Sequence, residues 1–584
     1  MKGFGEPRRG KQNIKLKHAK ERDLIKRALA EYQRGDLKGS KKLIEEFIKS
    51  NKVNGSALGI LATIERALGD NEKASLLFEE SIRIDQNNPD ILHNYSSLMQ
   101  EKDLDRAIEL SDKALAISPN NCSFLERNSY LKWRAHDLES ALKAAFKVIK
   151  LEPNNFNVHR NMGNIFKDLG RLDEALSATL RSVEIEPKDS ETYKNLALIY
   201  REIGNLDQAL AANVKSLEIN PNNSEVLMNQ GIIYRDLGSL DNALTYIFRS
   251  IEYNKNYAEA YWNASQILLL SGDYEKGWQM YEYRFQCKQA IPHAVPLCKK
   301  YNGNDKMPHT LLIISEQGLG DTLLFMRYIK PLRDKGISIS FCAELKLHSL
   351  VKISDIDASP LTNYEAKKIK KGQWMPLLSV PKYLEVSPRN PIIIEPYIKT
   401  SEKLIEKWRC VFSDKKRPII GINWKGNRKD LKRKGRDIPI EHFKNITRSV
   451  EGSFLSFQRC TQASELKQLS IHQNKSKVQD EIHRLADSDD PEDFLEYAAI
   501  IKNCDLVITN CSTLVHLAGG MGVQTWIVME KIPNWQWGLY SDKSCWYPSA
   551  RLFRQKNIGE WQDLIFSVVE ELKNFCNTNK FSSS

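Results

Sequence analysis

The sequence predicts a multidomain chain in which an all-α helical-repeat superhelix is followed by an α/β pair of Rossmann-type, doubly wound lobes. Three observations predict it: turn and small residues recurring every 34 positions through the first half, a change of apolar periodicity at His309, and two later sets of short buried runs alternating with amphipathic stretches. At 584 residues the chain has room for several cores. Its 41% hydrophobic and 27% charged residues are those of an ordinary globular protein, and no apolar run approaches the roughly 18–20 residues of a membrane-spanning helix. The N-terminus is basic but carries no apolar signal core, so the expected location is cytoplasmic. The ten cysteines are scattered and never spaced CxxC, which suggests neither a zinc site nor a disulfide framework.

Residues 1–22 hold eight Lys/Arg against two acids, a large share of the net charge of +12. Such a tail reads as a solvated disordered arm, contact with nucleic acid or an anionic membrane being the alternative. The repeats follow, over residues 23–290. Prolines after an x-Ile/Leu-x pattern recur at Pro119, Pro153, Pro187 and Pro221, glycines at Gly170, Gly204, Gly238 and Gly272, and small residues at Ala141, Ala175, Ala209, Ala243 and Gly277, each series 34 apart. The glycine supplies the left-handed cap that ends the first helix of a pair; the proline opens the next repeat because it cannot continue the second. The small residue lets the two helices touch. This pattern resembles tetratricopeptide repeats, about seven to eight of them, whose stacked pairs form a groove that binds protein partners. A solenoid that only stabilises or oligomerises the protein is the plainer alternative. The array ends at GDYEKGWQMYEYRFQCK, read as a cap or domain junction, and the proline-bearing stretch 291–308 reads as a linker.

From His309 the reading is α/β. TLLIISE (310–316) predicts a buried strand, GLGD a tight turn, residues 322–336 a helix and 337–344 a second strand, all within a first lobe spanning 309–400. A second lobe, 401–584, is predicted from strands at 418–426, 452–458, 505–510 and 525–530 and helices near 491–503, 512–521 and 559–575. Ligands of doubly wound sheets bind outside the carboxyl ends of the strands.

Four constellations could carry chemistry. In the first, Glu316-Gln317-Gly318-Leu319-Gly320-Asp321-Thr322, the glycines Gly318 and Gly320 permit close approach of a ligand or backbone, and Asp321 is either a helix cap or a catalytic carboxylate. It is neither a dinucleotide fingerprint nor a P-loop, because Leu323 stands at the sixth position and no Lys-Ser/Thr follows. In the second, Asn510 to Gly522, Ser512 and Thr513 fall at a helix start, where free N–H groups and the positive dipole end favour a phosphate. His516 shares their helix face and Gly519 follows among small residues. The third is the basic run Trp424–Arg436, with Lys425 and Arg428, read either as a solvated loop or as a clamp for a diphosphate. The fourth is the aromatic set Pro533-Asn534-Trp535-Gln536-Trp537 and Cys545-Trp546-Tyr547-Pro548, for which packing is the better reading.

Taken together, GWQMYEYRF, EQGLGDTLLFMRY, HLAGGMG, PNWQW and WYPSARLFRQ resemble the bacterial repeat proteins whose C-terminal region is similar to GT-B glycosyltransferases, related to heptosyltransferases and protein O-GlcNAc transferases. The resemblance implies an inverting, metal-independent transfer with no cofactor, from a nucleotide-sugar donor held by the second lobe to a protein or glycan acceptor selected by the repeats. It assigns Asp321 as the base, Ser512, Thr513 and His516 to the donor diphosphate, and Lys425 or Arg428 to the same phosphates. One departure stands out: relatives carry Asp-Thr where this chain has Cys511-Ser512. The alternatives are a non-catalytic protein–protein adaptor with a degenerate transferase-like half and, more weakly, nucleic-acid binding through the basic segments.

Overall fold

The structure is a computed structural model describing residues 23–50, 54–287, 292–303, 307–392, 396–426, 437–458, 465, 468–469 and 477–579. The basic arm at 1–22 and Arg428 therefore lie outside the described residues. The chain divides into two compact units, Met1–Pro221 and Asn222–Ser584.

The first unit is a series of helix pairs, beginning with a helix at 23–33 and Leu37–Ser50 and ending with Ser190–Ile203 and Leu206–Ile219. The reason for the period is visible residue by residue. Asn88, Asn121, Asn155 and Asp189 sit at helix starts, and their side chains accept a first-turn N–H, each such cap being worth about 1 kcal/mol. Gly204 closes its helix at φ 97°, a conformation that a side chain resists. Ala141, Ala175 and Ala209 are fully buried where the paired helices touch. A further periodic feature is a hydrogen bond: Ser182 Oγ donates to Phe156 O at 2.9 Å and, 34 residues on, Ser216 Oγ donates to Ser190 O at 2.8 Å.

The second unit opens with two more helix pairs, Ser224–Asp236 with Leu240–Tyr253 and Ala258–Ser271 with α1 (Tyr274–Tyr281). Ser250 Oγ continues the same bond, to Ser224 O at 2.6 Å. Two parallel sheets follow. The first contains β1 (Lys299–Lys300), β2 (Thr310–Ile314), β3 (Ser338–Cys342) and β4 (Gln373–Pro376) in the order β1-β4-β2-β3. The second contains β5 (Ile419–Asn423), β6 (Ser453–Ser456), β7 (Leu506–Thr509), β8 (Thr525–Met529) and β9 (Ala550–Arg554) in the order β6-β5-β7-β8-β9. Both are doubly wound. The strand order reverses between β2 and β4 in one and between β5 and β7 in the other, which creates the two crevices where such folds take ligands.

Three local differences from the sequence reading have physical causes. The predicted helix at 322–336 breaks into α2 (Leu319–Phe325), a 3-10 turn at Met326–Tyr328 and a helix at Ile329–Asp334, because Pro331 lacks an N–H and its ring clashes with the carbonyl four residues earlier. The stretch 291–308 is more than a connector: β1 pairs with β4, and Ala294 and Cys298 are buried in the first sheet's outer cluster. The repeat helices end at Phe285, but the last pair also packs into the α/β region. Tyr274, Trp278 and Tyr281 of α1 belong to the same hydrophobic core as β2 and β8.

Candidate functional site

The glycine turn of the first sheet leaves β2 as Ser315-Glu316-Gln317-Gly318 and enters α2. Glu316 is fully buried and receives the guanidinium of Arg284 in bidentate fashion, Nε to Oε2 at 3.1 Å and Nη2 to Oε1 at 2.7 Å. Arg284 also donates to Ser379 Oγ, Tyr281 O and Glu282 Oε1, so all five of its N–H groups are engaged. Glu316 Oε1 accepts Leu378 N–H as well, at 3.1 Å, which ties the carboxyl ends of β2 and β4 together across the crevice. Burial alone would weaken the Arg284 charge; Glu316 and Glu282 outweigh it and hold its pKa above the usual value. Burial likewise pushes the Glu282 carboxyl up, but Arg284 and the Ser379 hydroxyl reverse this and hold it below the ordinary carboxylate range.

Two more groups brace the turn. Gln317 is held at φ 64°, unusual for a residue with a side chain. Its carbonyl lies 3.0 Å from His293 Nε2, and His293 Nδ1 lies 2.9 Å from Ser315 Oγ; since a carbonyl only accepts, Nε2 carries a proton. Thr322 donates to Glu344, which follows β3, and Glu344 Oε1 is 3.8 Å from His293 Nδ1. Asp321, half-buried, accepts Gly318 N–H at 3.2 Å, so the cap role read from the sequence is present.

On the second sheet, the β5/β7 crevice is rimmed by amide and hydroxyl side chains. Asn423 Nδ2 donates to Asn510 Oδ1 at 2.8 Å and reaches Ser512 Oγ at 3.4 Å, and Ser512 Oγ lies 3.1 Å from Thr509 Oγ1. Ser512 is the N-cap of α3 (Thr513–Gly520), yet its side chain makes no capping bond, unlike the asparagines of the repeats. Ser512 O accepts Val515 N–H at 3.1 Å, while the Ser512 hydroxyl closes none of the first-turn N–H groups of α3. Lys425, at the β5 end, has its N–H on Gln458 Oε1 at 2.7 Å and its Nζ paired with Glu465.

The two turns meet. A Cβ at Gly320 would stand 3.1 Å from His516 Cδ2 and 3.5 Å from Thr513 Oγ1, so α2 and α3 approach closely here and a side chain would press on the His516 ring. His516 is buried, with Nδ1 2.9 Å from Tyr547 Oη and its ring stacked on Trp537. Gly519 packs on the Tyr547 ring, where a Cβ would come within 2.6 Å. The structure therefore brings Gly318, Gly320, Asp321, Ser512, Thr513 and His516 to facing turns; it sets Gly519 behind them as a packing residue and pairs Lys425 with an acid.

The motifs that seemed separate in sequence converge on one aromatic cluster. Trp278 of the last helix pair stacks edge-on against Trp535 at 5.3 Å and Phe325 at 6.3 Å, and Trp535 against Trp546 at 6.2 Å. Buried Arg327 donates to Trp546 O and Tyr397 Oη and lies over both the Tyr397 and Tyr547 rings. Residues 25–89 and 190–223 match the family of tetratricopeptide repeats. The chain is also similar to Protein FlbA of Caulobacter vibrioides (strain ATCC 19089 / CIP 103742 / CB 15), 23% identical over 334 residues that make up 53% of this chain and 54% of the relative. It thus spans about half the length of the curated relative it matches. Among solved structures, a tetratricopeptide repeat protein from Parabacteroides merdae ATCC 43184 shares 18% identity over 42% of this chain and 98% of its own, with a TM-score of 0.38. PilF of Pseudomonas aeruginosa shares 17% over 35% and 94%, with a TM-score of 0.31. Among the described residues, no helix is long and apolar enough to cross a membrane.

Sequence reasoning missed Arg284, His293, Glu344, Arg327, Tyr397 and the role of Glu316. A signal existed for two of them: Glu316 ends a run of four apolar residues and a serine, and Arg327 interrupts LLFMRY, charges that burial forces into specific partnerships.

Proposed function

We propose that the α/β region is a GT-B-type glycosyltransferase that moves a sugar from a nucleotide donor to a protein or glycan acceptor, with the tetratricopeptide repeats presenting the acceptor. The observation that carries this reading is the start of α3, without a side-chain cap, at the β5/β7 switch point, facing the glycine turn at van der Waals distance. Helix N–H groups with a positive dipole end and the hydroxyls of Ser512 and Thr513 suit a diphosphate, and Asp321 is the carboxylate next to it that could take the proton from an acceptor hydroxyl. His516 then acts as a positioning residue: through Tyr547 and Trp537 it fixes α3 against Gly320. Lys425 reaches a donor phosphate only by leaving Glu465.

That last pairing, with the hydrogen bond from Trp537 Nε1 to Cys511 Sγ at 2.9 Å, favours the second reading, a non-catalytic adaptor whose former donor groups now satisfy one another. Calorimetry of the full chain against a panel of nucleoside diphosphate sugars separates the two. The transferase reading expects one nucleotide series to bind and released nucleoside diphosphate to accumulate with cell extract; no binding to any of the panel leaves the adaptor.

A further inference from the structure

The strap that follows the last helix pair, residues 292–300, runs from the glycine turn to the edge of the first sheet, and over 294–299 its burial alternates. Ala294, Pro296 and Cys298 point inward, while Val295, Leu297 and Lys299 are exposed. The inward face has a clear role, since Ala294 and Cys298 pack with Ala366 and Ile369 beneath β2 and β4. The outward face has none within the fold: Val295 is 58% and Leu297 67% exposed, among the most exposed aliphatic side chains of the described residues. Cys298 N–H donates to Ile369 O at 3.0 Å, and Lys299 is in register with Gln373. These contacts set the strap directly against the end of the helix Asn363–Lys367 and the segment Lys368-Ile369-Lys370-Lys371 that follows it.

The lysines of this patch stand without acids. Lys299, Lys367, Lys370 and Lys371 are all exposed, and none forms an ion pair among the described residues. The nearest carboxylate in sequence, Glu365, is turned onto Thr362, whose N–H and hydroxyl it accepts at 2.8 and 2.7 Å. Lys368 lies 3.6 Å over the ring of Tyr364, itself 69% exposed. Edge-strand protection explains a lysine on β1, since charge there blocks pairing with another chain. It does not explain two exposed aliphatics beside it, nor Lys367, Lys370 and Lys371.

We propose that this patch docks the protein on an anionic lipid surface, with Val295 and Leu297 entering the boundary of the acyl region and the four lysines meeting the headgroups. Exposed aliphatics beside a group of lysines are the chemistry of interfacial binding. A nucleic acid would use the lysines but leave Val295 and Leu297 in water. The inference is independent of the proposed activity and survives its failure.

The test is cosedimentation of the full chain with vesicles of phosphatidylcholine alone or with about a third phosphatidylglycerol, a lysine near such a surface contributing about fivefold in partition. Three proteins are compared, all keeping the basic arm at 1–22: the parent, Lys367→Glu/Lys370→Glu/Lys371→Glu, and Val295→Ser/Leu297→Ser. Binding of the parent to anionic but not zwitterionic vesicles is expected, with a loss of at least about a hundredfold in the first variant and about tenfold in the second. Should charge reversal disturb folding, seen as a changed melting curve, Lys367→Gln/Lys370→Gln/Lys371→Gln replaces it with the same expectation. Parent protein that ignores anionic vesicles, or variants that bind as the parent does, overturns the proposal. So does equal capture by a single-stranded oligonucleotide of the parent and the Val295→Ser/Leu297→Ser protein alongside unchanged vesicle binding, which would assign the lysines to a nucleic acid.

Discussion

Replacing Arg284 with methionine leaves the Glu316 carboxyl fully buried and without its cation, and that consequence can be sized. Breaking one side of a buried ion pair costs about 3–5 kcal/mol, because the stranded charge keeps its desolvation penalty and loses its compensation. Arg284→Met should therefore lower the stability of the second unit by about 4 kcal/mol. Glu316→Leu should cost at least as much, since it strands Arg284 and removes the acceptor of Leu378 N–H. The double variant removes both charges and leaves mainly the Leu378 N–H unsatisfied, so it should cost only about 1–3 kcal/mol, far less than the sum. Tryptophan fluorescence in a urea titration reads this out. Ten of the eleven tryptophans lie between residues 262 and 561 and only Trp133 lies in the first unit, so the signal follows the second unit's own transition. A single variant within about 1 kcal/mol of the parent, or a double variant whose loss equals the sum of the singles, would refute the assignment of Arg284 as the brace of the glycine turn.

Other consequences are as direct. Asp321→Asn keeps an oxygen for Gly318 N–H and so should fold like the parent and still bind donor, while losing transfer by about a hundredfold or more if Asp321 is the base; unchanged turnover of nucleotide sugar would remove that role. His93 stacks on Phe124, and burial, with Arg127 adding to it, pushes its pKa down from 6.5 to about 4. The unfolded chain binds that proton first, so the first unit should be unaffected above about pH 6.5 and lose stability progressively as pH falls towards about 4. His93→Phe should flatten that slope in circular-dichroism melts, and a slope that persists unchanged places its origin elsewhere. A chain starting at residue 222 should unfold cooperatively, whereas one starting at 291 loses Trp278 and Arg284 and should give exposed apolar surface and dye binding; comparable melts for the two fragments would count against a shared core.

What could be read from the sequence and what could not divide along the range of the interactions involved. Gly204, Ala175 and Pro187 act within one helix pair, so their 34-residue recurrence announces both their structure and their purpose before any coordinates exist. Strand and helix positions in the second lobe were legible for the same reason, whereas β4, β9 and the two-residue β1 were not, because QWMP, ARLFR and KK become strands only through neighbours already in the sheet. The candidate site follows this rule closely. Gly320 was readable as a point of close approach, but the thing approached, the start of α3 with His516, is nearly two hundred residues away. Asp321 was readable as a cap or a base, and the structure supplies the cap through Gly318 N–H. The junction motif was the furthest from its meaning. Its tryptophan and arginine look in sequence like the end of a solenoid, yet Trp278 completes the aromatic cluster with Trp535 and Phe325, and Arg284 closes the first sheet's crevice through Glu316. A repeat array joined by a free linker could be exchanged without touching the turn beside it. Here the last helix pair holds the turn that carries Asp321, so any partner gripping that pair acts on the same bonded frame as the candidate site.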